Sequence, residues 1–243
     1  MTGKRKAEVT AADIPAVTFY GRRQGHPLRI RSQRLVDELL PRIAVNPPSD
    51  EGAQLDPLSL FPADIKEVWL EVGFGRGEHL AWQAQHNPEV GMIGCEPFIN
   101  GVAGLLQKVE DGGLGNVRIL HDDARLLLKT LPDASISRFF LLFPDPWPKT
   151  RHNKRRFISP ENLVQLARVL KDGAEFRFGS DHMDYCRWTL AHLLNHPAFE
   201  WTAEGPQDWR RRPADWPPTR YETKAAEKGL ESAYLTFRRR KRA

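Results

Sequence analysis

The 243-residue sequence predicts an α/β protein: a doubly wound, mostly parallel sheet with helices on both faces. Three observations lead there. Short apolar runs alternate with segments of helical periodicity. The first run opens directly into a glycine-rich turn, VGFGRG at 72–77. An acid also stands at or just past the end of five successive runs: Glu71, Glu96, Asp123, Asp145 and Asp181. Ligands of an open parallel sheet sit outside the carboxyl ends of its strands, so function is sought at those positions.

The elements follow in order. Residues 1–20 read as flexible, and Tyr20–Arg31 (YGRRQGHPLRIR) is basic and interrupted by Gly and Pro. Leu35, Leu39, Leu40 and Ile43 give helical spacing across Gln33–Ile43, and Asn46–Pro62 is a Pro-, Ser- and Asp-rich loop. VWLEV, Val68–Val72, suits a strand buried on both faces, with a helix at Glu78–Gln85. Val90–Glu96 is a second strand, and Asn100–Glu110 a helix closed by Gly112 and Gly113. Asn116–His121 is a third strand, and Ala124–Leu131 a short helix stopped by Pro132. Ser137–Phe143 is the fourth, running straight into FPDPWPKTRHNKRR (Phe143–Arg156).

Pro160–Leu170 is a helix with Ser159 as N-cap, Pro near its first position and Gly173 beyond its end. Ala174–Ser180 is the fifth strand and Met183–Asn195 another helix. A Trp/Arg/Pro-rich connection, Gly205–Thr219, leads to a short helix and a last strand, Ala233–Phe237. Residues 1–62 thus form an N-terminal extension, partly flexible, and residues 63–243 the sheet domain.

Bulk properties exclude several classes. No run of about 18 apolar residues occurs, and the N-terminus lacks a signal-peptide core. The two cysteines, Cys95 and Cys186, are far apart and show no metal-ligand spacing, which points to a reducing, cytoplasmic setting with no metal. The net charge is +5, yet ten of the 36 Lys/Arg fall in residues 149–156 and 238–242. The other 26 are outnumbered by 31 acids, so positive charge is concentrated as on a polyanion-binding face. The C-terminal RRRKR run reads as a solubilising tail that adds at most nonspecific affinity.

Gly73, Gly75 and Gly77 let a cofactor approach the backbone at a helix N-terminus. Position 78 is Glu, which breaks the dinucleotide fingerprint. The E-x-G-x-G-x-G form resembles motif I of class I, Rossmann-like S-adenosyl-L-methionine-dependent methyltransferases. That resemblance implies cofactor contacts at Glu71 toward the methionine ammonium, Glu96 toward the ribose hydroxyls and Asp123 toward the adenine amine.

The loop after strand four has two readings. In one, prolines stiffen it, Trp147 packs on the core and the cations are solvated. In the other it is the acceptor-recognition loop. FPDPWPKTRHNKRR resembles the signature of the bacterial, single-chain tRNA (guanine-N7-)-methyltransferase family, and so do RRQG, LEVGFGRGEHL, GCEP, DDA, GSD at 179–181 and PPTRYETKAAEKG. The resemblance implies transfer of methyl from S-adenosyl-L-methionine to the variable-loop guanine of tRNA. It implies Asp145 as a cofactor contact, substrate contacts at Lys149, Asp181, Thr219, Arg220, Tyr221 and Glu222, and RNA lying over Thr150, Arg151, His152, Asn153, Lys154 and Arg155, with the 1–62 extension expected to contact the RNA as well.

Guanine N7 has an in-plane lone pair at neutral pH, so attack on a sulfonium methyl needs alignment and no general base. Asp145 is the expected central residue. It can hold the guanine N1–H/N2–H edge, stabilise charge on the purine or orient the cofactor. Trp147 either stacks on the base or packs on the protein. The cations, Arg156 with them, would contact phosphates, and His152 either joins them or bonds locally. Thr219 and Glu222 also have capping-box spacing. The protein would be a monomer or homodimer. Methylation of another RNA nucleotide or a protein, or a silent RNA-binding module, are the rival classes.

Overall fold

In the computed structural model, residues 20–50 and 52–242 are described; the expectation of a flexible N-terminus falls almost wholly outside them. Seven strands form one sheet in the order β3-β2-β1-β4-β5-β7-β6. These are β1 (Glu67–Val72), β2 (Val90–Cys95), β3 (Val117–Leu120), β4 (Ile136–Leu142), β5 (Leu170–Ser180), β6 (Phe199–Trp201) and β7 (Ala233–Arg239). The first five pair in parallel, whereas β7 runs antiparallel to both β5 and β6. The chain starts at β1 and winds outward to β3 before returning to β4. The switch point therefore lies between β1 and β4, where the carboxyl ends of adjacent strands open a crevice.

Both faces of the sheet are covered. On one lie α3 (Glu78–His86) and α4 (Ile99–Gly112), with α1 (Ile30–Glu38) packed on α4 and α2 (Leu40–Ile43) following it. On the other lie α5 (Ala124–Thr130), α6 (Pro160–Val169) and α7 (Met183–Leu194). Strand alternation assigns the residues: Val68, Leu70 and Val72 enter the α5–α7 core, while Trp69 faces α3 and α4. Glu71 therefore points toward α3, and this decides its partner below. Ser159 caps α6 as its sequence predicts, accepting from the amide of Asn162 at 3.3 Å.

The far edge differs from the expectation in three ways. β5 begins at Leu170 rather than Ala174, because Gly173 adopts φ +81° and lets the chain leave α6 directly into a strand with a register shift beside β4. The connection 205–219 contains a one-turn helix, α8 (Gln207–Arg210), and the short edge strand β6 precedes it. The C-terminal cations are no loose tail. Arg239 is buried in β7 and donates to the carbonyl of Ala167 at 3.0 Å. Arg242 pairs with Asp172 and donates to the carbonyls of Arg168 at 2.6 Å and Leu170 at 2.7 Å, capping the end of α6.

The extension is also attached from Tyr20 onward. The carbonyl of Arg23 accepts from Ile99 N, Asn100 exchanges bonds with Gly25 and His26, and Arg31 and Arg34 pair with Glu110. No described helix is long and apolar enough to cross a membrane. Arg242→Ala should lower unfolding free energy by about 1–3 kcal/mol in denaturant titration, as expected for charge-assisted bonds to buried carbonyls, with tRNA affinity unchanged.

Candidate active site

The turn after β1 is built by glycine. Gly73, Gly75 and Gly77 have φ of +72°, +57° and +73°, the left-handed region other residues avoid. Crowding adds a second demand: a Cβ on Gly101 of α4 would come within 2.3 Å of the Gly75 carbonyl oxygen. The turn and α4 thus touch backbone to backbone. Glu96, just past β2, clamps the same region, its carboxylate accepting from Gly75 N at 2.9 Å and Phe98 N at 3.0 Å. Burial raises its pKa to about 7 against the pull of those two amides, with Asp145 and Glu71 adding like charge.

Two of the other expected cofactor acids, Glu71 and Asp123, are paired within the protein. Glu71 is 2% exposed, and its Oε2 lies 2.7 Å from Nδ1 of His79 in α3. Asp123 caps α5 and holds Arg125 through its amide and two side-chain nitrogens, at 2.9, 2.9 and 2.6 Å.

The loop after β4 is bent at both ends of its Pro-Asp-Pro: Phe143 and Trp147 have φ +48° and +45°. Such conformations cost about 1–3 kcal/mol each and persist only when the surroundings impose them. Phe143 N donates to Gly179 O at 2.7 Å. Arg156 imposes the rest. Its side chain has no exposed surface, its Nε donates to Pro146 O at 2.9 Å, and its Nη2 pairs with Asp184 at 2.5 Å. Its guanidinium lies over the rings of Tyr185 and Trp188. Arg156 therefore offers no charge to solvent, unlike the phosphate contact its place in the basic run suggested.

Asp145 is exposed at the loop's apex, and residues Thr150–Arg155 form a 3-10 turn beyond it. Lys149, Thr150, Arg151 and Lys154 are exposed there, with His152 and Asn153 half-buried. Arg155 sits between the rings of Tyr20 and Trp147, 4.9 Å from each centroid. Partial burial and neighbouring cations, Arg155 foremost, hold His152 below the usual histidine range.

A single cleft of about 1260 Å³ runs along the strand ends. It brings together Gly73, Gly75, Glu96, Asp123, Asp145, Asn153, Lys154, Arg155 and Arg220. Glu71, Gly77, Lys149, Thr150, Arg151, His152, Asp181, Thr219 and Glu222 do not line it. Thr219 opens α9 (Arg220–Glu227) with a complete capping box, and Glu222 also accepts from Tyr234 Oη and Arg212. The side chain of Tyr221 lies outside what is described. Reading the sequence missed Tyr20 and Lys224 as cleft residues. Tyr20 gave no signal of its own, but Lys224 stands one helical turn from Arg220 and shares its face. Among the described residues no group of three or more His, Cys, Asp or Glu could hold a metal.

The residues fit S-adenosyl-L-methionine: a glycine turn open to a ligand, with nothing within 4 Å of a Cβ built on Gly73, and the Glu96 carboxylate fixed beside it. Sheet order and rim together define a class I S-adenosylmethionine-dependent methyltransferase. The solved 16S rRNA methyltransferase KamB superposes with TM-score 0.54 at 17% identity, covering 74% of this chain and 90% of that one. An rRNA methylase from Streptococcus thermophilus gives 0.50 at 12% identity, covering 73% and 89%.

Residues 66–235 match the family model described as a putative methyltransferase. The tRNA (guanine-N(7)-)-methyltransferase of Rhodospirillum rubrum is 54% identical over 226 residues, 93% of this chain and 89% of its own length. That of Agrobacterium fabrum is 49% identical over 240 residues, covering 99% and 100%. The chain belongs to the tRNA (guanine-N(7)-)-methyltransferase family. Gly101→Ala should weaken binding of S-adenosylhomocysteine at least about tenfold in calorimetry, since the turn must move to admit the methyl group.

Proposed function

We infer that the protein transfers the methyl group of S-adenosyl-L-methionine to N7 of guanine in tRNA, forming 7-methylguanosine. One observation carries this reading. The glycine turn, Glu96, Asp145 and the end of the cationic turn, Asn153 to Arg155, open onto one cleft, so a small cofactor and a polyanion can meet there.

The cofactor supplies a methyl already activated on a sulfonium. Gly73 and Gly75 cradle it, and Glu96 takes its ribose hydroxyls on lone pairs left by the two amides. Asp123, held by Arg125, borders the adenine end through its backbone as much as its carboxylate. The phosphates of tRNA lie on Lys149, Arg151, Lys154 and Arg155, which give affinity and salt sensitivity rather than base choice. Asp145 meets the guanine edge that carries N–H donors and aligns N7 with the methyl. Transfer of that methyl to N7 would shift positive charge from the sulfur to the purine. A carboxylate beside the purine favours that shift. Of the substrate contacts the resemblance implies at Lys149, Asp181 and 219–222, Arg220 lines the cleft, and the capping pair Thr219 and Glu222 fixes the start of the helix that carries it.

The Glu96 carboxyl gives a pH signature. Its folded pKa near 7 keeps it substantially protonated below that value, whereas the ribose hydroxyls need the carboxylate as acceptor. Cofactor affinity should therefore rise from pH 6 to pH 8 in calorimetry, and Glu96→Gln should flatten that rise.

Incubation with methyl-labelled cofactor and unmodified tRNA, followed by nucleoside analysis, should place the label in 7-methylguanosine; label elsewhere would overturn the assignment. In that assay Asp145→Ala should lower turnover by at least about 100-fold while tRNA affinity stays within about twofold.

A further inference from the structure

Outside the cleft, a chain of buried polar groups links two ends of the site that lie far apart in sequence. Nδ1 of His79 lies 2.7 Å from Oε2 of Glu71, and Nε2 of His79 lies 3.1 Å from Nε2 of Gln83. The same Gln83 nitrogen donates to the backbone carbonyl of Asp215 at 2.7 Å. The Gln83 oxygen accepts from Nδ2 of Asn87 at 3.2 Å. These bonds set the direction of the chain. An amide nitrogen only donates, so Nε2 of His79 accepts and Nδ1 carries the hydrogen given to Glu71. His79 and Gln83 are 2% and 1% exposed, so water does not substitute for a lost partner.

At its far end the chain reaches a segment pinned on the sheet. The Asp215 carboxylate lies 2.9 Å from Nη1 of Arg177 and 3.7 Å from Nη1 of Arg138, two residues of β5 and β4. Trp216 is 1% exposed, with its ring 5.8 Å from His79 and against Gly179. Three residues later Thr219 begins α9, and Thr219, Gly73 and Glu71 border one small space of about 10 Å³. One end of the chain is therefore a cofactor-turn acid. The other holds the stretch that carries Thr219 to Glu222.

A well-satisfied core network would need no such termini. We propose that His79 and Gln83 are positioning residues that couple the two ligand sites: they hold Glu71 in one rotamer and tie it to the 215–222 segment, so filling the cofactor turn strengthens tRNA binding. The proposal rests on the function inferred above, and the coupling is reciprocal.

The test is tRNA affinity with and without saturating S-adenosylhomocysteine, in wild type and in Gln83→Met, which keeps the side-chain length and removes both donated bonds. The wild type should bind tRNA about fivefold or more tighter with the product present. In Gln83→Met the ratio should fall toward one. Gln83→Asn, with an amide too short to span the gap, should do the same and serves if the methionine variant does not fold. Nitrogen-15 spectra of wild-type histidines should show His79 as the Nδ1–H tautomer. An unchanged ratio in a folded variant, a wild-type ratio of one, or the opposite tautomer overturns the coupling and leaves the methyltransferase reading intact. A wild type that binds neither ligand overturns both.

Discussion

The guanidinium of Arg156 is the interaction on which the candidate site depends. It is the last cation of a run of five, yet it points inward between Tyr185 and Trp188 and bonds to the Pro146 carbonyl and Asp184. A buried cation is tolerated when paired and hydrogen-bonded, and here Nε and Nη2 have partners while Nη1 has none. Its consequence is geometric. With Pro146 held from below, the backbone keeps two left-handed non-glycine residues, Phe143 and Trp147, and Asp145 stands at the apex between them. The strain there is imposed by packing, as is common where a side chain must be presented in one direction.

The same loop divides the charge of the cleft. Inward lie the carboxylates, Glu96 with its raised pKa and Asp145; outward lie Lys154 and Arg155 on the 3-10 turn. A sulfonium cofactor and a phosphate-rich partner need opposite fields, and the fold supplies both within one crevice because strand and loop meet at the switch point. Tyr20 and Trp147 hold Arg155 by its flat face, which limits the side-chain freedom lost on binding an anion.

Much of this was legible in the sequence. Short, near-continuous apolar runs named all five parallel strands, because a strand buried on both faces leaves little choice of residue. The glycine turn was legible because only glycine takes three left-handed φ values in five residues. Ser159 was legible as a cap because its bond is local. What escaped reading depended on distant partners. β6 has three residues and no period of its own. Arg239 and Arg242 looked like a tail, and only the return of β7 beside α6 gives them carbonyls to bind. Glu71 read as an acid at a strand end, and its pairing with His79 comes only from the strand's alternation combined with the placement of α3.

By itself, then, the sequence determined the alternating α/β order, the backbone turn that can admit a cofactor, and the chemical types gathered at the strand ends. Those follow from local rules: periodicity, glycine geometry and helix capping each operate within a few residues. Tertiary structure alone decided which cations face water and which lie buried, and which acids are paired, as Asp123 is with Arg125 and Glu71 with His79. It also set Trp216 against His79 and Gly179. Each of those outcomes needs a partner tens of residues away, and burial, which sets the strength of every polar contact, exists only once the chain has packed.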